Sequence, residues 1–150
     1  MWAPVGEQPQ IISPATRQKV GFFGAVSLST GQLITQTSSP FNAKTFQDFL
    51  YYFLGLTHRP ILLILDRASY HRANALKPFL MKHRAYIKLF FLPAYSPELN
   101  PIERVWRITR RRVTHNRYFP TLEILEEALI NQFAQWKYPN EALKVLCANI

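Results

Sequence analysis

Residues 60–66 are Pro-Ile-Leu-Leu-Ile-Leu-Asp, a short continuous apolar run that ends in an acid. Runs of this kind are typical of a strand that is buried on both faces, in a sheet with helices above and below it. In open α/β sheets, functional groups gather at the carboxyl ends of the strands. Asp66 is therefore a candidate catalytic residue, although capping of the following turn explains an aspartate at this position equally well.

The segments around this strand predict an α/β fold. Residues 20–28 and 33–37 flank the turn Ser-Thr-Gly-Gln and predict a β-hairpin. Residues 86–92 predict another strand, and residues 72–84 predict a helix that Pro78 could kink or split. The other predicted helices cover residues 43–56, 101–115, 122–136 and 140–147. This order of elements fits an α/β fold with a mixed sheet.

The composition predicts one globular domain with a polyanionic partner. The chain has 150 residues, of which 48% are hydrophobic, so it can bury a core. Its 18 Lys and Arg against 9 Asp and Glu give a net charge of +9, which favours nucleic acid over a merely soluble basic surface. Cys147 is the only cysteine, which excludes a disulfide within the chain and a zinc site built on cysteines.

The sequence predicts a cytoplasmic protein. The first twenty residues are polar and rich in proline, which is unlike a cleavable signal peptide. The longest uncharged apolar stretch, residues 49–56, is far too short to cross a bilayer.

His71 follows Asp66 by five positions. At this distance its side chain could contact DNA or a water molecule at a metal site. A single histidine at the start of a helix is more often structural, so both interpretations remain open.

Glu103 ends the sequence Asn100-Pro101-Ile102-Glu103. Asparagine is a good N-cap, proline is favoured at the first helical position, and glutamate at the third closes a capping box. Taken alone, this pattern favours capping over catalysis.

The helix predicted at 101–115 would have an apolar face and a flank rich in arginine. Glu103 would lie on that flank, where an i,i+4 pair with Arg107 contributes about 0.3–0.5 kcal/mol. Five arginines between positions 104 and 112 exceed what one glutamate can pair, which favours a phosphate-binding surface. The candidate DNA-binding residues are His71, Arg104, Arg107, Arg110, Arg111 and Arg112.

Three stretches resemble the mariner-like transposases of bacterial insertion sequences, which belong to the DDE endonuclease superfamily. Residues 61–66, followed by His71, resemble the second acidic motif of that family. The stretch Leu-Pro-Ala-Tyr-Ser-Pro-Glu-Leu-Asn-Pro-Ile-Glu-Arg-Val-Trp at 92–106 is more specific and resembles the third. Residues 2–6 resemble the segment that precedes the hairpin, so the resemblance covers nearly the whole chain.

The resemblance implies a ribonuclease-H-like fold, a mixed sheet flanked by helices, in which three carboxylates hold two divalent ions. The second acid corresponds to Asp66 and the third to Glu103, 37 positions further along the chain. Hard oxygen ligands suit Mg²⁺ or Mn²⁺, and two such ions serve metal-dependent cleavage and strand transfer of DNA. The implied partner is DNA, both transposon ends and target.

The sequence departs from the family pattern in two respects. The first acid and its opening strand would precede Met1, and neither Glu7 nor Asp48 replaces that acid. Arg67 stands where the family commonly has Asn. The upstream helix-turn-helix modules of the family have no counterpart either. We therefore expect residues 1–150 to form a catalytic domain that is incomplete at its N-terminus and inactive alone.

Partners implied by the resemblance are an upstream polypeptide that supplies the first acid and the helix-turn-helix, and a second copy of the chain. Two other functions remain alternatives. One is a different ribonuclease-H-like nuclease, against which residues 96–103 argue. The other is a non-catalytic DNA-binding remnant.

Overall fold

The computed structural model describes residues 11–12 and 19–148, which belong to two compact units. The first unit contains Ser38–Asn100, and the second contains the described residues before Ser38 and from Pro101 onward. The prediction of a single domain over residues 1–150 stays a prediction. Residues 2–6, which resemble a segment of the transposase family, lie outside the described residues.

The described chain forms six strands and five α-helices. The strands are β1 Ile11–Ile12, β2 Lys19–Val20, β3 Phe22–Val26, β4 Leu33–Thr37, β5 Ile61–Leu65 and β6 Ile87–Phe91. The helices are α1 Ala43–Leu56, α2 Lys77–Lys82, α3 Pro101–Thr109, α4 Leu122–Ala134 and α5 Glu141–Ala148. None of the helices in the described part of the chain is long and apolar enough to cross a membrane.

In the first unit, β5 and β6 pair in parallel, from Ile61 opposite Ile87 to Leu65 opposite Phe91. Helix α1 has the predicted bounds and begins with a capping box, in which the Asn42 side chain accepts from the Thr45 N–H at 2.9 Å. Its buried residues recur at helical spacing, and Leu65 in β5 and Ile87 in β6 are buried in the same unit. These helix residues are Phe46, Phe49, Leu50 and Phe53.

The helix predicted at 72–84 is wrong in its extent. Two single turns of 3₁₀-helix, Ser69–His71 and Asn74–Leu76, precede the six-residue helix α2. Pro78 lies in the first turn of α2 and does not kink a longer helix. In the first turn its missing N–H leaves no hydrogen bond unmade, so the proline marks where the helix can begin.

In the second unit, β3 and β4 form the predicted antiparallel hairpin, from Phe22 opposite Thr37 to Val26 opposite Leu33. The hairpin packs with α3, α4 and α5 around one apolar cluster. Members of that cluster include Leu33, Val105, Trp106, Leu125, Leu129, Phe133, Leu143 and Cys147.

The tip of the hairpin is held by the connection between α4 and α5. The Asn140 N–H donates to the carbonyl of Thr30 at 2.8 Å, and the Leu33 N–H donates to the carbonyl of Trp136 at 2.8 Å. Gly31 lies between these two bonds with φ +72°, a left-handed conformation that favours glycine. The close approach of the tip to α5 therefore depends on a residue without a side chain.

The basic helix predicted at 101–115 is divided in two. Helix α3 ends at Thr109 and continues as one π-helical turn, Arg110–Thr114. In this turn the His115 N–H donates to the carbonyl of Arg110 at 2.9 Å. The wider turn keeps Val113 buried in the same cluster as Val105, so the apolar face continues past the change of helix type.

Candidate active site

Asp66 directly follows β5, at the carboxyl end of the parallel strand pair. Its Oδ1 accepts a hydrogen bond from the Ala68 N–H at 3.0 Å and lies 2.8 Å from Nδ1 of His71. Burial raises the pKa of Asp66, but these hydrogen bonds outweigh it and leave the pKa below the ordinary value. The carboxylate is therefore ionised at neutral pH, and its side chain remains 33% exposed.

His71 is nearly enclosed, with 4% of its side chain exposed. Its ring centroid lies 4.5 Å from that of Phe46 in α1 and 4.6 Å from that of Tyr70. Nδ1 faces two acceptors, Oδ1 of Asp66 and, at 3.3 Å, the Asp66 main-chain carbonyl. Since both are acceptors, Nδ1 carries the proton and donates it. This placement favours a role in orienting Asp66 over a direct contact with DNA.

Arg67 joins the ends of the two strands. Its Nε donates to the main-chain carbonyl of Leu92, directly after β6, at 3.1 Å. Arg72 is anchored in the same way, because its Nε donates to the main-chain carbonyl of Arg67 at 3.1 Å. Both arginine residues are exposed. Sequence reasoning had not singled out Arg72, and nothing in the pattern marks it, since its position depends on the 3₁₀ turn.

Glu103 is the third residue of α3 and is half-buried. Asn100, immediately before the helix, is buried and has an extended backbone, with φ −92° and ψ 106°. The capping box predicted for Asn100 and Glu103 stays a prediction. Glu103 belongs to the second unit and Asp66 to the first. The convergence of the two carboxylates stays a prediction.

The candidate metal ligands are best judged by their donor chemistry. Within residues 11–12 and 19–148, no group of three His, Cys, Asp or Glu side chains could hold a metal ion. Asp66 supplies one ionised, partly exposed carboxylate whose Oδ1 is already oriented by two donors. A hard oxygen of this kind fits Mg²⁺ or Mn²⁺ as a single protein ligand.

The five arginines predicted to bind DNA have different surroundings. Arg104 is half-buried, and its Nη1 donates to the carbonyl of Leu146 in α5 at 3.1 Å. The guanidinium of Arg112 lies 5.5 Å from the ring centroid of Trp136, within cation–π distance. The remaining three are the half-buried Arg110, which lines a small cavity beside Trp106 and Phe133, and the exposed Arg107 and Arg111.

The chain is similar in sequence to proteins of transposable elements. A family model described as "DDE superfamily endonuclease" matches residues 1–126. The chain is 26% identical over 118 residues to the "Insertion element IS630 uncharacterized 39 kDa protein" of Shigella sonnei, which covers 77% of this chain and 34% of that protein. It is 27% identical over 157 aligned positions to the "Transposable element Tc3 transposase" of Caenorhabditis elegans, covering 97% and 45%.

A solved structure of the Mos1 transposase catalytic domain with raltegravir and Mg is similar in fold. The TM-score is 0.65 at 19% sequence identity, and the match covers 95% of this chain and 80% of that chain. The predicted ribonuclease-H-like α/β fold is thereby confirmed. The chain spans about a third to a half of the length of the curated relatives that it matches.

Proposed function

Because this chain belongs to the DDE superfamily endonuclease family, we propose that it is the downstream part of a transposase catalytic domain that cuts DNA and transfers strands in transposition. The observation that carries the proposal is Asp66, an ionised and oriented carboxylate at the carboxyl end of a parallel strand. The Tc3 relative is a transposase by name, and the Shigella sonnei relative is the protein of an insertion element, which supports the same activity. Its site of action would be the cytoplasm, at the nucleoid.

Asp66 and Glu103 would hold the divalent ions, as the second and third acids of the family. Asp66 fits this role because His71 and the Ala68 N–H both bind Oδ1, which fixes the direction of the carboxylate before a ligand arrives. Two Mg²⁺ or Mn²⁺ ions, when bound, supply activation of the attacking oxygen and stabilisation of the leaving oxygen.

An upstream polypeptide would supply the first acid, together with the helix-turn-helix that recognises transposon ends. The relatives are two to three times longer than the region they share with this chain, which leaves room for such a segment. Mg²⁺ gives up water reluctantly, so two carboxylates alone would hold a pair of ions poorly. The 150 residues alone are therefore expected to cleave DNA at a negligible rate.

The arginines that α3 and the π-helical turn expose would contact the DNA backbone. Arg107 and Arg111 are exposed four positions apart, and Arg112 is exposed beside Trp136. Contacts from such side chains to phosphate position a protein on DNA without reading the bases. Arg104 contributes less to this surface, because its guanidinium is bound to the C-terminal turn of α5.

Nicking of supercoiled plasmid tests the proposal. The chain is fused behind the portion of the Shigella sonnei relative that lies upstream of the matched region, and Mn²⁺ or Mg²⁺ is added. The fusion should nick the plasmid, and Asp66→Asn and Glu103→Gln should each abolish nicking. Asp48→Asn is the matched control, since Asp48 is a carboxylate on α1 whose side chain is 56% exposed and paired with Lys44.

Two results would contradict the proposal. Nicking that survives Asp66→Asn, or that Asp48→Asn reduces equally, would remove the catalytic role of Asp66. Metal-dependent nicking by the unfused 150-residue chain, lost in Asp66→Asn, would show instead that the upstream acid is unnecessary.

A further inference from the structure

Arg67 and Arg72 are exposed but held in place. Each uses its Nε to donate to a main-chain carbonyl at 3.1 Å, Arg67 to Leu92 and Arg72 to Arg67. Each guanidinium makes no other hydrogen bond to the described residues, so its two terminal nitrogens keep four N–H donors. The anchoring removes part of the rotamer freedom that a free surface arginine would lose on binding a ligand.

The charges of these two arginines are not neutralised by the described part of the chain. Neither takes part in the ion pairs that join Lys44 to Asp48, Lys144 to Glu141 and His71 to Asp66. Asp66 is adjacent in sequence to Arg67, but its Oδ1 is engaged by His71 and by the Ala68 N–H. No carboxylate of the described residues therefore pairs with these two anchored positive charges, which lie at the carboxyl end of the strand pair, next to the proposed metal ligand.

We propose that Arg67 and Arg72 bind backbone phosphates of the substrate DNA beside the bond that is cut. This inference rests on the proposed function. A guanidinium presents a planar fork of donors that matches a phosphate in geometry and charge. The ionised Asp66 repels an approaching phosphate, and two guanidinium groups offset that repulsion. Arg67 stands where the family commonly has Asn, which can donate hydrogen bonds but carries no positive charge. The charged contact to phosphate that we propose for position 67 therefore distinguishes this chain from such relatives.

A purely structural role for Arg67 makes a different prediction. If its guanidinium only tied the end of β5 to Leu92, its removal would lower the melting temperature without changing the response of DNA binding to salt. A phosphate contact releases condensed counterions, so its removal changes that response directly. The salt slope of binding therefore separates the two roles.

The experiment measures binding of the 150-residue chain to a short fluorescent DNA duplex in EDTA, by anisotropy, over a range of salt. Each phosphate contact contributes about 0.9 to the slope of log K against log salt. Arg67→Gln should therefore lower the slope by about 0.9, and Arg67→Gln with Arg72→Gln by about 1.8. When the salt concentration rises from about 50 to about 200 mM, the affinity of both proteins for DNA should fall. The fall should be about ten times larger for the parent than for the double variant.

The controls use charge and position. Arg67→Lys keeps the charge and should keep most of the slope. Arg84→Gln removes an exposed arginine that is likewise bound to a main-chain carbonyl, that of Met81 at 3.2 Å. Arg84 precedes β6 and so lies toward the opposite end of the strand pair from Leu92. Its loss should leave the slope unchanged.

An unchanged slope in the double variant would overturn the inference and leave the proposed function standing. A fall of equal size in Arg84→Gln would also overturn it, because any surface arginine would then suffice. Absence of binding by the parent chain at low salt would count against the proposed DNA contact itself, and with it against the inference.

Discussion

Gly31 allows the hairpin tip to approach α5, and its replacement by alanine should destabilise the second unit by about 2–5 kcal/mol. A Cβ atom at this position would lie 1.9 Å from the carbonyl oxygen of Asn140 and 2.6 Å from the main-chain nitrogen of Lys144. Both are backbone atoms, so no side chain can rotate away to make room. The tip must instead move away from the start of α5.

The magnitude follows from what that movement breaks. The left-handed φ of +72° costs an alanine roughly 1–2 kcal/mol. Withdrawal of the tip would also stretch the hydrogen bond from Asn140 to Thr30 and that from Leu33 to Trp136. Each contributes about 0.5–1.5 kcal/mol net, and more where a buried group is left without a partner.

Urea unfolding followed by tryptophan emission measures the effect. Trp106 and Trp136 are both buried in the second unit, and Trp2, the third tryptophan of the chain, is replaced by Phe throughout. Gly55→Ala is the matched control, because a Cβ at this position on α1 meets nothing within 4 Å. It should leave this transition unchanged and stabilise α1 by about 0.5–1 kcal/mol.

Gly31→Asn separates the two causes. Asparagine tolerates left-handed backbone but still carries a Cβ atom, so it should destabilise nearly as much as alanine. Full stability of Gly31→Asn would assign the cost to φ alone. A Gly31→Ala protein within about 0.5 kcal/mol of the parent would refute the packing argument.

Two further predictions concern the carboxylate of Asp66 and the arginines of helix α3. The lowered pKa of Asp66 means that its ionised form stabilises the fold above the ordinary aspartate pKa of about 4, and that this stability is lost as pH falls through the lowered value. The melting temperature of Asp66→Asn should therefore lie below that of the parent near about pH 6, and the gap should narrow as the pH falls below about 4. A gap that stays the same in acid would contradict this reasoning. Arg104→Met should lower the free energy of unfolding in urea by about 1 kcal/mol, because it removes the hydrogen bond to Leu146. Arg107→Met, on the exposed face, should lower it by less than about 0.5 kcal/mol. Equal losses in the two variants would show that the hydrogen bond contributes nothing.

The sequence predicted best what depends on neighbours along the chain. Helix α1 has the predicted bounds because its apolar residues recur at helical spacing and Asn42 with Thr45 caps its start. Strands β5 and β6 lie within one or two residues of the predicted ends. Strand β5 is an uninterrupted apolar run and β6 is apolar except for Lys88. Both are local signals that need no knowledge of the partner strand.

The sequence predicted less well what depends on contacts between distant residues. Arg67 meets Leu92 across 25 positions, and no spacing rule connects an exposed arginine to a particular carbonyl. Enclosure of His71 depends on the ring of Phe46 in α1, so its spacing from Asp66 did not reveal it. The sequence did not predict the π-helical turn at Arg110–Thr114, because its arginines fit a regular α-helix equally well.

The second unit is assembled from two pieces of chain that are synthesised at different times. The hairpin of β3 and β4 leaves the ribosome first, but α3, α4 and α5, against which it packs, follow only after Ser38–Asn100. Contacts that span so long an interval close slowly, because the entropy of closing the intervening loop must be overcome before they form. The newborn hairpin therefore carries Phe22 and Leu33 uncovered until these helices emerge, and apolar surface that is exposed in this way promotes aggregation.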